Sequence, residues 1–307
     1  MIKFKELQNE NKILANEIAN AEKVQDHAES IRLKKLLYAN KIEMLDLLTQ
    51  RDAKLTQSAK QLINKVKNMK TAIRYETGLS YLDKELKSFN GNLGFEVGSL
   101  IILAGQSGAG KSHLMLDILS NISTYSKTAF FNFEMGDRRL THRLERVLKT
   151  DKQLNNFMIN SESRDLDDLI MEIKLLAEEG VVFFAIDSKM KISVRGNEME
   201  YQKISSITKR LSEVAIKNDL IIFLINQISE ENLKSGWKSF KGSGDQLYDC
   251  DMALFLTISD DGTRILECSK NRQDERGFTI SLPKPLITTY EKVYDAETPS
   301  SIKQIGA

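Results

Sequence analysis

The chain has 307 residues, of which 41% are hydrophobic and 28% charged, and its formal net charge is +1. This balance excludes a general basic surface, so any nucleic-acid binding must come from local patches. The two cysteines show no paired metal-ligand spacing, which disfavours a disulfide scaffold and favours a reducing cytoplasm. No apolar run is long enough to span a membrane and no signal-peptide region follows Met1, so we expect a cytoplasmic chain without membrane segments.

Residues 1–77 contain neither glycine nor proline and are rich in Lys, Glu, Asn, Gln, Leu and Ala. Apolar residues recur at helical spacing, first from Phe4 to Ala21 and again from Tyr38, with a phase shift between the two series. This pattern predicts two or three helices in a coiled coil or hairpin. The helices either pack only on their own chain or form an oligomerisation or partner-binding region, and the long seam favours the second interpretation. Clustered Gly, Asn and Ser then predict a linker over residues 78–98.

The chain is organised around residues 105–112, Gly-Gln-Ser-Gly-Ala-Gly-Lys-Ser, which have the P-loop form G-x-x-x-x-G-K-[ST]. An apolar run precedes them and a helical pattern follows, the order that aims backbone N–H groups at phosphates. Lys111 is predicted to reach the β- and γ-phosphates, and Ser112 to offer its hydroxyl to Mg²⁺. The predicted nucleotide-binding residues are Gly105, Gln106, Ser107, Gly108, Ala109, Gly110, Lys111, Ser112 and His113.

Short apolar runs follow one another after residue 99, and helical patterns separate the first five of them. This alternation predicts an α/β fold with a mainly parallel sheet, and the closely spaced last runs predict an antiparallel edge. The predicted strands cover residues 100–104, 128–133, 157–160, 181–187, 220–226, 252–257, 264–269 and 278–282. We expect the ATPase domain to cover residues 99–290, and a polar C-terminal tail to follow over 291–307.

Polar side chains close several of the predicted strands. Asp187 ends a buried run, where a P-loop ATPase needs a carboxylate for the Mg²⁺ shell, although such an aspartate can also cap an ordinary turn. Glu134 follows another apolar run and either polarises the attacking water or is a solvated strand end. Gln227 closes a third run and either contacts the γ-phosphate or satisfies a loop backbone.

Two basic stretches permit two interpretations each. Lys270 and Arg272 follow a strand end, where they either face a phosphate or belong to a solvated turn. Residues 234–244 are basic and rich in glycine, and they include Trp237 and Phe240. Positive charge with aromatic rings suits the backbone and bases of single-stranded DNA, but the same composition also suits a surface loop.

The order and rough spacing of these motifs resemble those of the DnaB-like replicative helicases, from about residue 77 to residue 282. The motifs are the P-loop, Phe133-Glu134-Met135, the Asp187 strand, Asn226-Gln227, the loop at 241–244 and Lys270-Asn271-Arg272. The resemblance implies a RecA-like core behind a small helical region. It also implies a homohexameric motor that uses ATP and Mg²⁺ and moves on single-stranded DNA.

The same resemblance implies a role for each matching residue. Glu134 is then the general base, Gln227 couples the γ-phosphate to the DNA loops, and Lys270 and Arg272 reach the neighbouring subunit's site, with Arg272 as arginine finger. The implied catalytic set is Lys111, Glu134, Gln227, Lys270 and Arg272, and the implied metal set is Ser112 and Asp187. The implied DNA-binding set is Lys238, Lys241, Gly242, Ser243 and Gly244.

The chain departs from the family pattern in three places. Ser188 stands where an aromatic residue usually follows the aspartate, and Gly242 stands at a usually acidic loop position, after Lys241 instead of Arg. The region before residue 78 is much shorter than usual, as in phage- and plasmid-type members, so primase or loader contacts through these helices are less defined.

Three functions remain open on this reasoning. The leading one is a hexameric replication helicase that translocates 5′ to 3′ by resemblance. The second is a RecA-like ATPase that acts as a recombination mediator, loader or regulator without unwinding. The third is a coiled-coil adaptor, in which residues 1–77 act and the nucleotide serves as a switch.

Overall fold

The computed structural model describes residues 2–49, 58–68, 73–88, 91–195, 199–228, 246–274 and 276–283. The chain forms two compact units, one built mainly from Met1–Lys70 and the other containing Thr71–Ile170 and Leu176–Gln304. The predicted DNA-binding residues Lys238, Lys241, Gly242, Ser243 and Gly244 lie outside the described residues, as does the predicted tail over 291–307.

The described helices of the first unit are α1 (Ile2–Lys23), α2 (His27–Thr49) and α3 (Ala59–Lys67). The first two helices are antiparallel, because Asn40 hydrogen-bonds Glu10 while Lys34 pairs with Glu22 nearer the turn. The small apolar core between them consists of Leu14, Ile18, Ala21 and Leu33. The apolar spacing of the sequence thus corresponds to a helical hairpin followed by a shorter helix, and not to one rod.

The second unit is organised by an eight-stranded sheet in the order β10-β9-β8-β3-β7-β6-β4-β5. Its strands are β3 (Ser99–Gly105), β4 (Lys127–Asn132), β5 (Phe157–Asn160), β6 (Val181–Asp187), β7 (Ile221–Gln227), β8 (Met252–Ile258), β9 (Arg264–Asn271) and β10 (Phe278–Leu282). Neighbours from β8 to β5 are parallel, whereas β9 is antiparallel to both β8 and β10. The predicted α/β fold with an antiparallel edge is therefore confirmed.

Helices connect these strands as the alternating pattern predicts. They are α5 (Lys111–Ile122), α6 (Asp137–Val147), α7 (Asp151–Asn156), α8 (Leu166–Glu178), α9 (Glu200–Lys217) and α10 (Gln246–Asp249). The central strands β3, β6 and β7 are buried almost throughout, which explains their unbroken apolar runs. No helix in the described part of the chain is both long and apolar enough to cross a membrane.

The described residues from 73 to 98 belong to the second unit, where the sequence predicts a linker from residue 78. The short strands β1 (Arg74–Tyr75) and β2 (Phe95–Glu96) pair there, and helix α4 (Ser80–Asp83) lies between them in the chain. Leu82, Leu86 and Phe95 are fully buried. The glycines of this stretch adopt positive φ angles at its turns. The apolar residues between them pack into the core, so the described part of the stretch belongs to the folded unit.

Candidate nucleotide-binding site

The predicted nucleotide residues meet at one edge of the sheet, because the parallel strands that carry them end there. Gly105 at the end of β3 is in register with Gln227 at the end of β7. Asn132 at the end of β4 is in register with Asp187 at the end of β6, and Glu134 follows two residues after Asn132. Ligands of open α/β sheets bind outside the carboxyl ends of the strands, so we call this edge the carboxyl edge.

A cleft of about 190 Å³ lies at the carboxyl edge. It is lined by Ser107, Gly108, Gly110, Lys111, Ser112, His113, Glu134, Arg143, Asp187, Ser188, Ile225 and Gln227. The structure thus brings the P-loop, both acidic strand ends and the glutamine into one site. It does not bring Lys270 or Arg272 into this cleft.

Two glycines, Gly105 and Gly110, show why the P-loop needs this residue type. Gly110 has φ +100° and directly precedes α5, a left-handed conformation that L side chains rarely adopt. A Cβ on Gly105 would lie 2.3 Å from the carbonyl oxygen of Leu256, so only glycine lets this loop start so close to β8. The loop therefore delivers the first N–H groups of α5 to the cleft, where they can bind an anion.

Lys111 is held inside the cleft by its own loop. Its Nζ donates hydrogen bonds to the carbonyl oxygens of Gly105 at 2.8 Å and Gln106 at 2.9 Å. Burial lowers the pKa of Lys111, while the negative charges of Asp187 and Glu134 oppose that shift. An ammonium group that is positioned and partly desolvated in this way suits a phosphate ligand.

Ser112 and Asp187 bring two side-chain oxygen atoms together in the cleft. The Ser112 hydroxyl donates to Asp187 Oδ2 at 2.5 Å, and Asp187 is 1% exposed. Burial raises the pKa of Asp187 to about 6, and the hydrogen bond from Ser112 is the largest opposing effect. Mg²⁺ prefers such hard oxygen ligands and usually shares them with substrate phosphates, so these residues fit the ion. Within the described residues, no cluster of three His, Cys, Asp or Glu forms a metal site without phosphate.

Two contributors to the cleft were missed by the sequence reasoning. The Ser188 hydroxyl donates to Glu134 Oε1 at 2.5 Å, so the residue that departs from the family pattern holds the predicted base. Arg143 of α6 lines the cleft and helps to lower the pKa of Asp187. A signal for Arg143 existed, because α6 begins three residues after Glu134 and its first turns must lie near the same edge.

Three arginines place positive charge around His113, directly after the P-loop. Burial lowers the pKa of His113 most strongly, and the positive charges of Arg143, Arg264 and Arg146 lower it further. Arg264, at the start of β9, donates from Nε to the carbonyl oxygen of Ala109 at 3.0 Å and so supports the P-loop. This accumulation of cations around a loop of N–H groups favours a polyanionic ligand.

Lys270 and Arg272 lie at the opposite end of the sheet from the P-loop of their own chain. The antiparallel strand β9 ends beside the start of β8, where Ala253 is in register with Lys270. Lys270 Nζ donates to the carbonyl oxygen of Cys250 at 2.6 Å, and Arg272 donates to that of Tyr248 at 3.0 Å. We call the turn at residues 271–274 the cationic tip.

The cationic tip borders a second cleft, of about 980 Å³. Arg272 lines it, together with the exposed residues Lys84, Lys87 and Arg276. Glu85 and Asp274 also contribute to the wall, so the described lining carries more positive than negative side chains. The surface beside Arg272 is therefore open and basic.

A buried acid lies on the helix that follows the P-loop. Asp117 of α5 is 6% exposed, and its Oδ2 has no hydrogen-bond partner among the described residues. Burial raises its pKa to about 7. Burial raises the pKa of Tyr81, and the negative charge of Asp117 raises it further. The carboxyl group of Asp117, with its pKa of about 7, is about half protonated at neutral pH.

A family model described as the DnaB-like helicase C terminal domain matches residues 75–149, which include the P-loop and Glu134. The DNA repair protein RadA of Streptococcus pneumoniae is 23% identical over 250 residues, covering 78% of this chain and 57% of RadA. RadA of Aquifex aeolicus is 21% identical over 204 residues, covering 66% of this chain and 43% of that protein. The chain thus spans about half the length of these relatives.

Solved structures share the fold at low sequence identity. A DnaB-like replicative helicase, solved in a study of its interactions with primase, has a TM-score of 0.61 at 16% identity, covering 90% of this chain and 73% of the helicase. A separately solved ATPase domain has a TM-score of 0.56 at 16% identity, covering 73% of this chain and 91% of that domain. A KaiC-like protein of Pyrococcus horikoshii has a TM-score of 0.52 at 15% identity, covering 69% of this chain and 96% of that protein.

These findings agree with the cleft, in which a P-loop, a buried aspartate and a glutamate meet at the carboxyl edge of a mainly parallel sheet. The resemblance to the DnaB-like helicases is therefore confirmed, with the family's C-terminal domain matched over residues 75–149 and a fold that is that of the RecA-like ATPases.

Proposed function

We propose that this chain is an ATP-dependent DNA helicase that works as a homohexamer and translocates 5′ to 3′ on single-stranded DNA during replication. One observation carries the proposal. The nucleotide cleft and the cationic tip lie at opposite ends of the same sheet, so no chain can apply Arg272 to its own nucleotide. A neighbouring chain in a ring supplies the missing cation, which is the arrangement of motors that hydrolyse ATP at subunit interfaces.

The residues of the cleft support a division of labour in ATP hydrolysis. Lys111 and the N–H groups of α5 bind the phosphates, and Ser112 with Asp187 holds Mg²⁺, which neutralises phosphate charge when it is bound. Glu134 orients a water molecule and accepts its proton, and Ser188 holds Oε1 of that carboxylate at 2.5 Å. Gln227, beside Gly105 in the sheet, is suited to sense the γ-phosphate. Arg272 of the neighbouring subunit, with Lys270, stabilises charge in the transition state.

The DNA and partner contacts are part of the same proposal. The basic loop with Lys238 and Lys241–Gly244 binds the phosphodiester backbone, since Lys side chains and backbone N–H groups both suit phosphates. The helical first unit mediates assembly or contacts a primase or loader. The study of the DnaB-like relative with primase supports this assignment by analogy.

A second candidate is favoured by the similarity to RadA. It is a RecA-like ATPase that acts in DNA repair or recombination without separating a forked duplex. The two candidates share the cleft and the interface, so the chemistry of the nucleotide site does not distinguish them.

Strand separation distinguishes the two candidates. The full-length protein is incubated with ATP, Mg²⁺ and a fluorescently labelled fork, and with duplexes that carry only a 5′ or only a 3′ single-stranded tail. We expect separation of the fork and of the 5′-tailed duplex, and none without ATP. Full ATPase activity and DNA binding with an intact fork would contradict the helicase assignment and support the RadA-like candidate.

Two measurements complete this experiment. The Lys111→Ala variant, purified identically, must leave every duplex intact, which excludes a contaminating helicase. Mass photometry with a nonhydrolysable ATP analogue and single-stranded DNA should report six chains in each particle. Monomers under conditions that support hydrolysis would refute the interface site.

A further inference from the structure

A fully buried arginine lies directly behind the cationic tip. Arg74 of β1 is 2% exposed and ranks among the largest fully buried side chains in the described structure. Guanidinium stays charged at all physiological pH values, and burying a charge is costly unless it is paired and hydrogen-bonded. The surroundings of Arg74 must therefore satisfy its guanidinium group, and they reveal what this group holds in place.

Three of the six hydrogen bonds that Arg74 donates within the described structure go to the cationic tip. Arg74 makes a bidentate contact with Asp274, from Nη2 to Oδ1 at 2.8 Å and from Nη1 to Oδ2 at 3.1 Å. Nη2 of Arg74 also donates to the carbonyl oxygen of Gln273 at 3.2 Å. These two residues follow Arg272 directly in the sequence. The planar fork of one buried side chain therefore fixes the backbone and the carboxylate next to Arg272.

The other partners anchor the fork in the second unit. Nη1 of Arg74 donates to the carbonyl oxygens of Leu86 and Gly94, both at 3.2 Å, and its Nη2 donates to Glu96 Oε2 at 3.1 Å. The first two acceptors belong to the backbone between α4 and β2. Arg74 thus links the cationic tip to Leu86 and Gly94, which do not line the nucleotide cleft.

A second set of bonds supports the same turn. Gln273 Nε2 donates to the Ser99 hydroxyl at 2.8 Å, and the backbone N–H of Glu96 donates to Gln273 Oε1 at 3.1 Å. Asn271 Oδ1 accepts the backbone N–H groups of Gln273 and Asp274. The turn is rigid on its core side, whereas Arg272 itself is 53% exposed.

We infer that Arg74 is a positioning residue for the arginine finger, which sets the direction in which Arg272 leaves the subunit. This inference rests on the proposed function, in which Arg272 acts on the neighbouring nucleotide. The role requires arginine, because lysine offers three donors from one point and cannot bind Asp274 through a planar fork while also reaching three carbonyl groups.

The Arg74→Lys variant keeps the charge and removes the fork. We expect the turnover of the assembled, DNA-stimulated protein to fall on the order of 10²-fold, because a displacement of about 1 Å has that effect on positioned groups. The KM for ATP and nucleotide binding by dilute protein should stay unchanged. The matched control is Arg210→Lys, which alters a surface pair of 2.7 Å with Asp167 in the same unit and should leave turnover unchanged.

Combining Arg74→Lys with Arg272→Ala distinguishes a positioning role of Arg74 from a general structural effect. In an Arg272→Ala background, Arg74→Lys should lower turnover no further, because the finger that it positions is absent. Mixed assemblies with Lys111→Ala chains should regain activity, since those chains supply an intact finger to an intact P-loop. Mixtures of Arg74→Lys with Arg272→Ala chains should not recover, because both lack a working finger.

Each outcome has one meaning. Normal turnover of Arg272→Ala overturns the finger role itself, and the proposal for Arg74 with it. A strong effect of Arg272→Ala combined with an independent, additive effect of Arg74→Lys overturns only the inference about Arg74. If Arg74→Lys does not fold, Gln273→Ala replaces it, because it removes two tip contacts and leaves the guanidinium bonded. That variant should show a smaller loss with the same background dependence, and an additive loss would again overturn the inference.

Discussion

The two ends of the central sheet use positive charge in different ways. At the carboxyl edge, Lys111 is bonded to the carbonyl oxygens of its own glycine-rich loop, and a cleft lies in front of it. At the other end, Arg74 is bonded to carboxylate and carbonyl oxygens on several sides and is fully buried, while Arg272 lies exposed beside it. One cation is available to a ligand, and the other serves only the protein.

The proposed function assigns phosphate binding, Mg²⁺ coordination and proton acceptance to the carboxyl edge, and it assigns the arginine finger to the opposite end. The elements that form the carboxyl edge carry two buried carboxyl groups with raised pKa values, Asp187 and Asp117. The opposite end has its buried charges paired, as with Asp274 and Arg74. The charged groups of the carboxyl edge border an open cleft, whereas the buried charge behind the cationic tip is bonded on several sides by the protein itself.

The largest expected effect tests whether the two ends perform separate functions. Arg272→Ala should lower the turnover of the assembled protein by roughly 10³-fold or more and leave nucleotide binding by dilute subunits intact. Lys111→Ala should weaken that binding itself, because it removes the buried cation of the P-loop. Titration with a fluorescent ATP analogue and a phosphate-release assay check both expectations. An equal loss of nucleotide binding in Arg272→Ala and Lys111→Ala would contradict separate functions for the two ends of the sheet.

A smaller effect is expected from the proton acceptor of the carboxyl edge. Glu134→Gln should reduce turnover by about 10²–10⁴-fold, because an amide accepts no proton, and should leave nucleotide affinity nearly unchanged. The exposed Glu178 at the end of α8 provides the matched control, Glu178→Gln, with normal turnover expected. Single-turnover hydrolysis in preformed assemblies measures the chemical step. A normal single-turnover rate of hydrolysis in Glu134→Gln would show that another group acts as the base.

The smallest effect concerns stability and compares the carboxyl groups of Asp117 and Asp274. Asp117 has a folded-state pKa of about 7, above its unfolded value, so the folded protein binds more protons and its stability falls as pH rises from about 4 to 7. Asp117→Asn should make this slope shallower and raise stability above pH 7 on the order of 1–3 kcal/mol. Asp274→Asn should instead destabilise by about 3 kcal/mol, because Arg74 loses its bidentate carboxylate and keeps only the more exposed Glu96 as a charge partner.

Urea denaturation at several pH values checks both stability effects. Below about pH 4 the wild type and Asp117→Asn should differ least, since the carboxyl group of Asp117 is then largely protonated in both the folded and the unfolded state. Identical slopes for these two proteins between pH 5 and 8 would show that Asp117 ionises without penalty. A harmless Asp274→Asn substitution would remove the contrast between paired and unpaired carboxyl groups.

The eight core strands could be predicted from sequence, with ends that differ from those of the structure by at most two residues. Central parallel strands such as β3 and β7 are buried on both faces, so hydrophobicity alone marks them. The carboxyl-edge residues could also be predicted, because a parallel sheet gathers its strand ends. The meeting of Ser112 with Asp187 follows from topology once the strands are known.

Contacts made by single side chains between distant segments could not be predicted. Ser188 looks like a loss relative to the usual aromatic residue, and only coordinates reveal its bond to Glu134. Arg74 looks like one charge among many at the end of a helical region, since β1 is only two residues long. Its burial depends on Asp274, which lies 200 residues away in sequence. Periodicity carries no information on such pairs.

The 200-residue separation of Arg74 and Asp274 also sets an order of events during synthesis. Translation at about 5–20 residues per second brings Asp274 into existence roughly 10–40 s after Arg74. For most of that interval the whole P-loop strand and helix have already been made, while Arg74 has no carboxylate to bind at the tip. Under the proposed function, a nascent chain therefore completes its P-loop well before the turn that presents Arg272 to a neighbouring subunit.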